Sequence, residues 1–343
     1  MLIKEDTPRR NAAYSANGFL VINDSHLDDT APSSRVDDYP SSVLSKFHAA
    51  VEFANQNKLI ICNAGDILGH SVLKSESYKY QIMQIIGSSL YPILAIPGNH
   101  DMSASKLSEK DTLWLISTFT NMDVIVDTGI IDVIELHTDH GVRMVGVGGS
   151  PYGQPLPQGG VDWGTDVSLG LWLTHHNLPF SSHYKKQATS AFMPLPGVDI
   201  VMNGHLHHAA PPVKSGETTY YNNGSIARTK SNERERTPCG TVILPDKFME
   251  TISFDMDGGK NAFSSAAGRA SAPAVFGVTP EEGQESVLEQ RNRFTTFLTQ
   301  GDTESETVGK LLDDAFGTGE ITQDMRNWLE SVSDEAASRL GNA

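Results

Sequence analysis

Seven side chains in this sequence could do metal chemistry together: Asp24, His26, Asp66, Asn99, His175, His205 and His207. All are oxygen or imidazole-nitrogen donors, and none is a thiolate. Such donors suit Mn²⁺, Fe²⁺ or Zn²⁺ in five- or six-coordinate sites and suit Cys-rich structural zinc poorly. Seven donors are too many for one ion and about right for two that share a carboxylate. Two ions roughly 3.5–4 Å apart can clamp a phosphoryl group and generate a hydroxide nucleophile near neutral pH.

Each donor follows a strand-like run. Gly18–Asn23 is a first strand ending in Asp24-Ser25-His26, and the D-x-H spacing places both side chains on one side of an extended chain. An Asx-turn with a surface histidine has the same pattern. Leu59–Ala64 ends in Gly65-Asp66, and 91–97 ends in Gly98-Asn99-His100-Asp101. Between them, Ser41–Asn57 and Tyr78–Leu90 have helical apolar spacing. The order β-α-β-α-β implies parallel neighbouring strands in a layered α/β fold. A helix follows near Thr112–Thr120, then short strands at 124–126, 130–136 and 142–148, the last two joined as a hairpin. Residues 150–168, rich in Gly and Pro, read as a long rim or lid loop. Leu169–Thr174 ends in His175-His176, and Val198–Met202 ends in Gly204-His205-Leu206-His207-His208. Thr218–Tyr221, Thr241–Leu244 and Met249–Phe254 add further strands, the last pair a closing hairpin. Residues 1–17 read as polar and loose.

The 343 residues carry a net charge of -16, which argues against broad adhesion to nucleic acid or anionic membrane. A local phosphate site remains compatible, because two divalent ions add about four positive charges at one point. Two cysteines exclude a disulfide framework, and Cys62 sits in an apolar run as a core residue. No apolar N-terminal region or membrane-length run is present, so a soluble cytoplasmic protein without a membrane partner is expected.

The blocks Asp24-Ser25-His26, Gly65-Asp66, Gly98-Asn99-His100-Asp101, Thr174-His175 and Gly204-His205-Leu206-His207 occur in the order found in calcineurin-like metallophosphoesterases, which the chain resembles over residues 18–257. The resemblance implies a β-sandwich flanked by helices, with metals at the strand ends. Asp24, His26 and His207 would hold one ion; Asn99, His175 and His205 the other; Asp66 would bridge them. Mn²⁺ is favoured as the cofactor, with Fe²⁺ or Zn²⁺ also accommodated. His100 would be the catalytic general acid or would stabilise phosphoryl charge. Strand alternation turns His176 to the other face. Many members continue the second block as G-D-x-x-D, with the later Asp orienting the catalytic histidine. Here that position is Gly69, so the sequence supplies no orienting partner for His100. His70 is a candidate substrate or supporting group.

The segment Asn223-Gly224-Ser225-Ile226-Ala227-Arg228-Thr229 after G-H-x-H resembles the SbcD-type DNA-repair nuclease branch. Arg228, Lys230, Arg234 and Arg236, with Lys185 and Lys186, are candidate phosphate contacts. A loop partly neutralised by Glu233 and Glu235 has the same composition. The expected function is a two-metal phosphodiesterase, a DNA exo- or endonuclease of SbcD type. The alternative is a small-molecule phosphodiesterase or phosphatase acting on a nucleotide or cyclic nucleotide. A non-catalytic scaffold would be expected to lose ligands, and all seven are present.

Three segments are expected: a catalytic domain over 1–257, a Gly-, Ala- and Ser-rich linker over 258–278, and three helices over 279–343. Residues 258–343 hold seven basic and fourteen acidic residues, a poor composition for a DNA arm. By resemblance, these helices either pack on the catalytic domain or grip an SbcC-like coiled-coil ATPase; a homodimer is compatible as well.

Overall fold

The computed structural model describes residues 9–180, 188–255 and 262–263. Apart from Ala262 and Phe263, the expected linker and the C-terminal helices, with Lys185 and Lys186, lie outside the described residues.

Apolar alternation and β-branched residues build two sheets. One contains β2 (Gly18–Ile22), β3 (Leu59–Asn63), β4 (Ile93–Ala95), β5 (Met122–Val124), β12 (Cys239–Ile243) and β13 (Met249–Ser253). Its order is β13-β12-β2-β3-β4-β5, with β2 to β5 parallel and the hairpin β12–β13 added antiparallel at β2. The other contains β1 (Arg9–Tyr14), β6 (Gly129–Thr138), β7 (Gly141–Ser150), β8 (Leu169–Thr174), β9 (Ile200–Asn203), β10 (Ala210–Ser215) and β11 (Thr218–Asn222), in the order β1-β6-β7-β8-β9-β11-β10.

The facing sides of the two sheets share one core. Phe19, Val21, Ile60, Cys62 and Leu94 from the first meet Ile134, Val145, Leu171, Leu173 and Met202 from the second. This is the expected sandwich. The crossover helices cover the first sheet. In α1 (Tyr39–Gln56), Val43, Phe47, Ala50, Val51 and Ala54 are buried at helical spacing, and Asp38 accepts from Ser41 N at the N-terminus. In α2 (Glu76–Gly87), Ser75 caps by accepting from Tyr78 N; α3 (Thr112–Phe119) leads into β5. Among the described residues no helix is long and apolar enough to cross a membrane.

Several expectations are corrected. Part of the loose N-terminus is β1, paired parallel to β6. The strand expected over 91–97 shrinks to Ile93–Ala95, since Pro92 and Pro97 lack an N–H for the ladder. The 150–168 loop meets the site only near its start, at Tyr152, and its later part packs away from it. Leu156 and Trp163 are buried with Trp172 and Tyr220 on the outer face of the second sheet.

Candidate metal centre

The ligand-type side chains sit just beyond the carboxyl ends of β2, β3, β4, β8 and β9, where open parallel sheets place their sites. The loops are cross-linked there by main-chain bonds. Asp24 N donates to Gly65 O (3.1 Å), His26 N to Asp66 O (3.0 Å) and Gly204 N to Thr174 O (2.8 Å). Asp24, His26, Asp66 and His205 all have left-handed backbones, with φ of 50°, 43°, 50° and 71°. Such conformations are uncommon for non-glycine residues and gather at functional sites.

Among the described residues three sets of donor atoms converge, one of them His26, Asp66 and His100. Of the other two, Asp24, His26 and His207 form one group; Asp66, His175 and His205 form another, and within each set the atoms lie within 4.8 Å of one another. Asp66 reaches both: its Oδ2 is 3.9 Å from His26 Nε2 and 3.2 Å from His175 Nε2. The Nε2 atoms of His26 and His207 stand 3.0 Å apart. Three of these polar atoms, Asp24 Oδ2, Asn99 Oδ1 and His175 Nε2, are buried without a hydrogen-bond partner. Buried polar atoms are nearly always satisfied. Orphans of oxygen and imidazole nitrogen, clustered around shared carboxylates, are what bound divalent cations would satisfy. The donor set therefore fits the metal pair: Asp24, His26 and His207 would hold one ion, Asn99, His175 and His205 the other, with Asp66 between.

The electrostatics agree. Burial, then the charge of His207, drives His26 well below the ordinary imidazole range. Burial and neighbouring His175 lower His205 to about 3. Both rings thus keep a free lone pair for a cation. Burial opposes charge on His175, but Asp66 and then Asp24 outweigh it and raise its pKa to about 9. A positive charge is wanted at that spot. Asp66 is pushed up by burial, yet His175, His26 and His100 together hold it well below the usual carboxylate range.

Supporting groups fix the rings. His175 Nδ1 donates to Ala64 O (2.7 Å) and His207 Nδ1 to Glu233 Oε1 (2.7 Å), so Nε2 faces the site in each. Glu233 is buried, and its Oε2 accepts from the main-chain N–H of Thr229 (2.6 Å) and Lys230 (3.2 Å). The fully buried Asp101 accepts from Leu68 N (2.8 Å), Ile67 N (3.2 Å) and Gly98 N (2.8 Å), binding the Asp66 loop to the Asn99 loop. Gly98 is required at that approach: a Cβ there would lie 2.2 Å from Asp66 Oδ1. From the 150–168 loop, the ring of Tyr152 reaches the centre and stands 5.5 Å from that of His205. His176 turns away from the metal side, with its Nε2 2.7 Å from Gln154 O.

A pocket of about 320 Å³ opens beside the centre, with His26, Asp66 and Asn99 on its floor. His100 is exposed in it. Its Nδ1 lies 3.0 Å from the carbonyl of Gly69, so the main chain of the residue that lacks a carboxylate supplies the orienting partner. His70 and Lys230 also line the pocket and are exposed. Arg228 does not line it. It is 2 % exposed, and its guanidinium donates to the carbonyls of Arg234 and Arg236 (both 3.2 Å) and to Asp255 (2.9 Å). Arg236 is also buried, bonded to Ser225 Oγ at 2.9 Å. These two arginines fold their own loop rather than meet a substrate. Sequence reasoning assigned no role at the centre to Glu233, Asp101 or Asp28; the signal for Glu233 was an acid within a basic run, three positions after Lys230, but Glu235 shares that run.

Comparison with known proteins agrees with the site. The calcineurin-like phosphoesterase family model matches residues 18–209, more than half of the chain. A 5'-nucleotidase precursor from Thermus thermophilus is similar at 12% identity and a TM-score of 0.41, covering 69% of this chain and 54% of that one. This chain thus spans little more than half of that protein's length. A conserved uncharacterized protein from Streptococcus pneumoniae TIGR4, described as a predicted phosphoesterase, is similar at 12% identity and a TM-score of 0.27, covering 68% and 96%. Both scores are too low to carry an argument. No curated protein matches in sequence. On the family match and the ordered donor set, the chain belongs to the calcineurin-like phosphoesterases, metal-dependent hydrolases of phosphoester bonds that normally bind two divalent ions.

Proposed function

We propose that the protein is a two-metal phosphodiesterase that acts on nucleic acid, as an exo- or endonuclease of SbcD type. Two divalent ions held as above would supply Lewis acidity toward a phosphoryl oxygen and activate water near neutral pH. The chain's own residues do the rest. Asp66 and Asn99 fix the floor on which the phosphoryl group rests. His100, held through Nδ1 by Gly69 O, faces the phosphoryl group and stabilises its charge. The observation that carries the polymeric substrate is the uncovered pocket. Its rim residues His70, His100 and Lys230 are exposed, and of the long loop only Tyr152 reaches the centre, while Leu156 and Trp163 pack on the outer face of the second sheet. A strand can lie across such an opening.

A small-molecule phosphodiesterase or phosphatase is the second reading. The burial of Arg228 and Arg236 favours it, because among the described residues it leaves Lys230 as the exposed cation of the pocket rim. A coiled-coil ATPase as partner and a homodimer remain part of the first reading, and both would be read in the same preparation by co-purification and light scattering. The deciding experiment is a metal-dependent screen of the full chain and of His100→Ala on phosphomonoesters, bis-p-nitrophenyl phosphate, cyclic nucleotides and single- and double-stranded oligonucleotides. Metal content is read by elemental analysis. Oligonucleotide cleavage that is lost in His100→Ala supports the first reading. Turnover of cyclic nucleotides or monoesters with oligonucleotides untouched replaces it with the second.

A further inference from the structure

The pocket holds a carboxylate–histidine pair that the metal centre does not use. Asp28 Oδ2 lies 2.6 Å from His70 Nδ1. The Asp28 side chain is 7 % exposed and that of His70 is 67 % exposed. Oδ1 of the same carboxylate accepts from Thr30 N (3.0 Å) and Thr30 Oγ1 (2.9 Å), so both oxygens are fixed. This is an anchored pair, unlike a surface ion pair between two mobile chains. Among the described residues the ring's Nε2 has no protein partner, and the ring lines the same pocket as His26, Asp66 and His100.

The geometry at Gly69 ties this pair to the missing carboxylate. A Cβ on Gly69 would lie 2.4 Å from Asp28 Oδ2 and 2.8 Å from Asp28 Cβ. The Asp28 carboxylate therefore fills the space into which a side chain at 69 would grow. It holds the neighbouring His70, while His100 is left with an uncharged main-chain acceptor. Among the described residues the pocket thus has two exposed histidines, of which His70 is the one whose Nδ1 meets a carboxylate.

We propose that His70 is a catalytic residue that protonates the leaving oxygen, with Asp28 as its positioning residue and His100 confined to stabilising phosphoryl charge. The inference rests on the phosphodiesterase reading above. In the balanced step, the oxygen of water bonds to phosphorus, the bond from phosphorus to the leaving oxygen breaks, and that oxygen takes the Nε2 proton of His70. The attacking water releases its proton to solvent, from which the ring is recharged. A carboxylate on Nδ1 fixes the tautomer and aims Nε2 at the pocket.

Leaving-group dependence tests this. A p-nitrophenoxide departs without a proton; an alkoxide needs one. The full Mn²⁺-loaded chain, His70→Gln and Asp28→Asn are assayed on bis-p-nitrophenyl phosphate and on an alkoxide ester, oligothymidylate or a cyclic nucleotide, whichever the unmodified protein turns over. His70→Gln is expected to shift the ratio of the two turnovers by about 10²-fold or more against the alkoxide ester, the scale of general acid catalysis. Asp28→Asn shifts it in the same direction by less, and added imidazole restores part of the loss in His70→Ala. In metal-free protein, ring-nitrogen chemical shifts should show His70 as the Nδ1–H tautomer, and Asp28→Asn should abolish that preference. Equal losses on both esters, or an unchanged ratio, in variants of normal metal content would overturn the role of His70 alone. Absence of phosphodiester turnover in the unmodified protein would overturn the phosphodiesterase reading and this one with it.

Discussion

Glu233→Ala is the most direct probe of how the metal centre is held. The carboxylate accepts four hydrogen bonds: His207 Nδ1 on Oε1, and the N–H groups of Thr229 and Lys230 with the more distant Thr229 hydroxyl (3.5 Å) on Oε2. Burial raises its pKa, but the hydrogen bond and charge of His207 outweigh that and hold it well below the carboxylate range, so it is charged. Truncation frees the His207 ring to rotate or to change tautomer. Loss of such a partner costs about 10–100-fold in metal affinity, equivalent to ~1.4–2.8 kcal/mol. Breaking the buried pair should also destabilise the metal-free fold by about 3 kcal/mol. Glu233→Gln is no safe substitute. If its amide oxygen accepts from His207, its NH₂ faces two main-chain donors; if it flips, the NH₂ forces the proton of His207 onto Nε2, the atom meant for the cation. Both variants are therefore expected to bind metal more weakly in chelator-competition calorimetry, Gln less severely than Ala in thermal melts. Two ions bound with unaltered affinity in Glu233→Ala would refute the reasoning.

Gly98→Ala places a Cβ 2.2 Å from Asp66 Oδ1 and should cost at least 1–3 kcal/mol and reduce metal stoichiometry, read by melts and elemental analysis. Arg228→Ala should lower the melting temperature by the equivalent of about 3 kcal/mol, whereas Lys230→Ala should leave it in place and raise KM on an anionic substrate. Burial first, then Arg228, Arg35 and Arg236, against the opposing Asp255, lowers Lys46 to about 6 from 10.5. Between those values the unfolded chain binds the extra proton, so stability rises with pH by about 1.4 kcal/mol per unit. Lys46→Met should flatten that slope between pH 7 and 9 and raise the melting temperature at pH 7; identical slopes would dismiss the idea.

The site was more legible than its supports, for a physical reason. Each donor block follows an apolar run of strand length, and side-chain type plus a strand end are local facts. Helices α1 and α2 were legible from their apolar period. Strand β1, Arg-Arg-Asn-Ala-Ala-Tyr, has no apolar alternation; it exists because β6 offers a free edge. Strand β10 was missed because it contains Pro211 and Pro212, which only an edge position tolerates. The basic run at 228–236 was read as charge, but a sequence does not say which charges are buried. Glu233, Arg228 and Arg236 make a folded loop whose one exposed cation in the pocket is Lys230. The partner of His100 could not be read at all, because it is a main-chain carbonyl.

The left-handed backbones at Asp24, His26, Asp66 and His205 say how the centre is prepared for its ions. Each such residue costs of order 1–3 kcal/mol, and four of them sit within one site. The cost is offset where it arises. His205 N donates to Asp24 Oδ1 (3.0 Å), His100 N to Asp66 Oδ1 (2.8 Å), and three main-chain N–H groups converge on Asp101. The same carboxylates that would hold metal thus use one oxygen to pin a neighbouring loop: Asp66 keeps Oδ2, and Asp24 keeps the orphan Oδ2, for the cation. A ligand with one oxygen already committed cannot rotate away when no ion is present. The centre is therefore set by the protein's own hydrogen bonds, and a cation binding there need not order the loops that carry it.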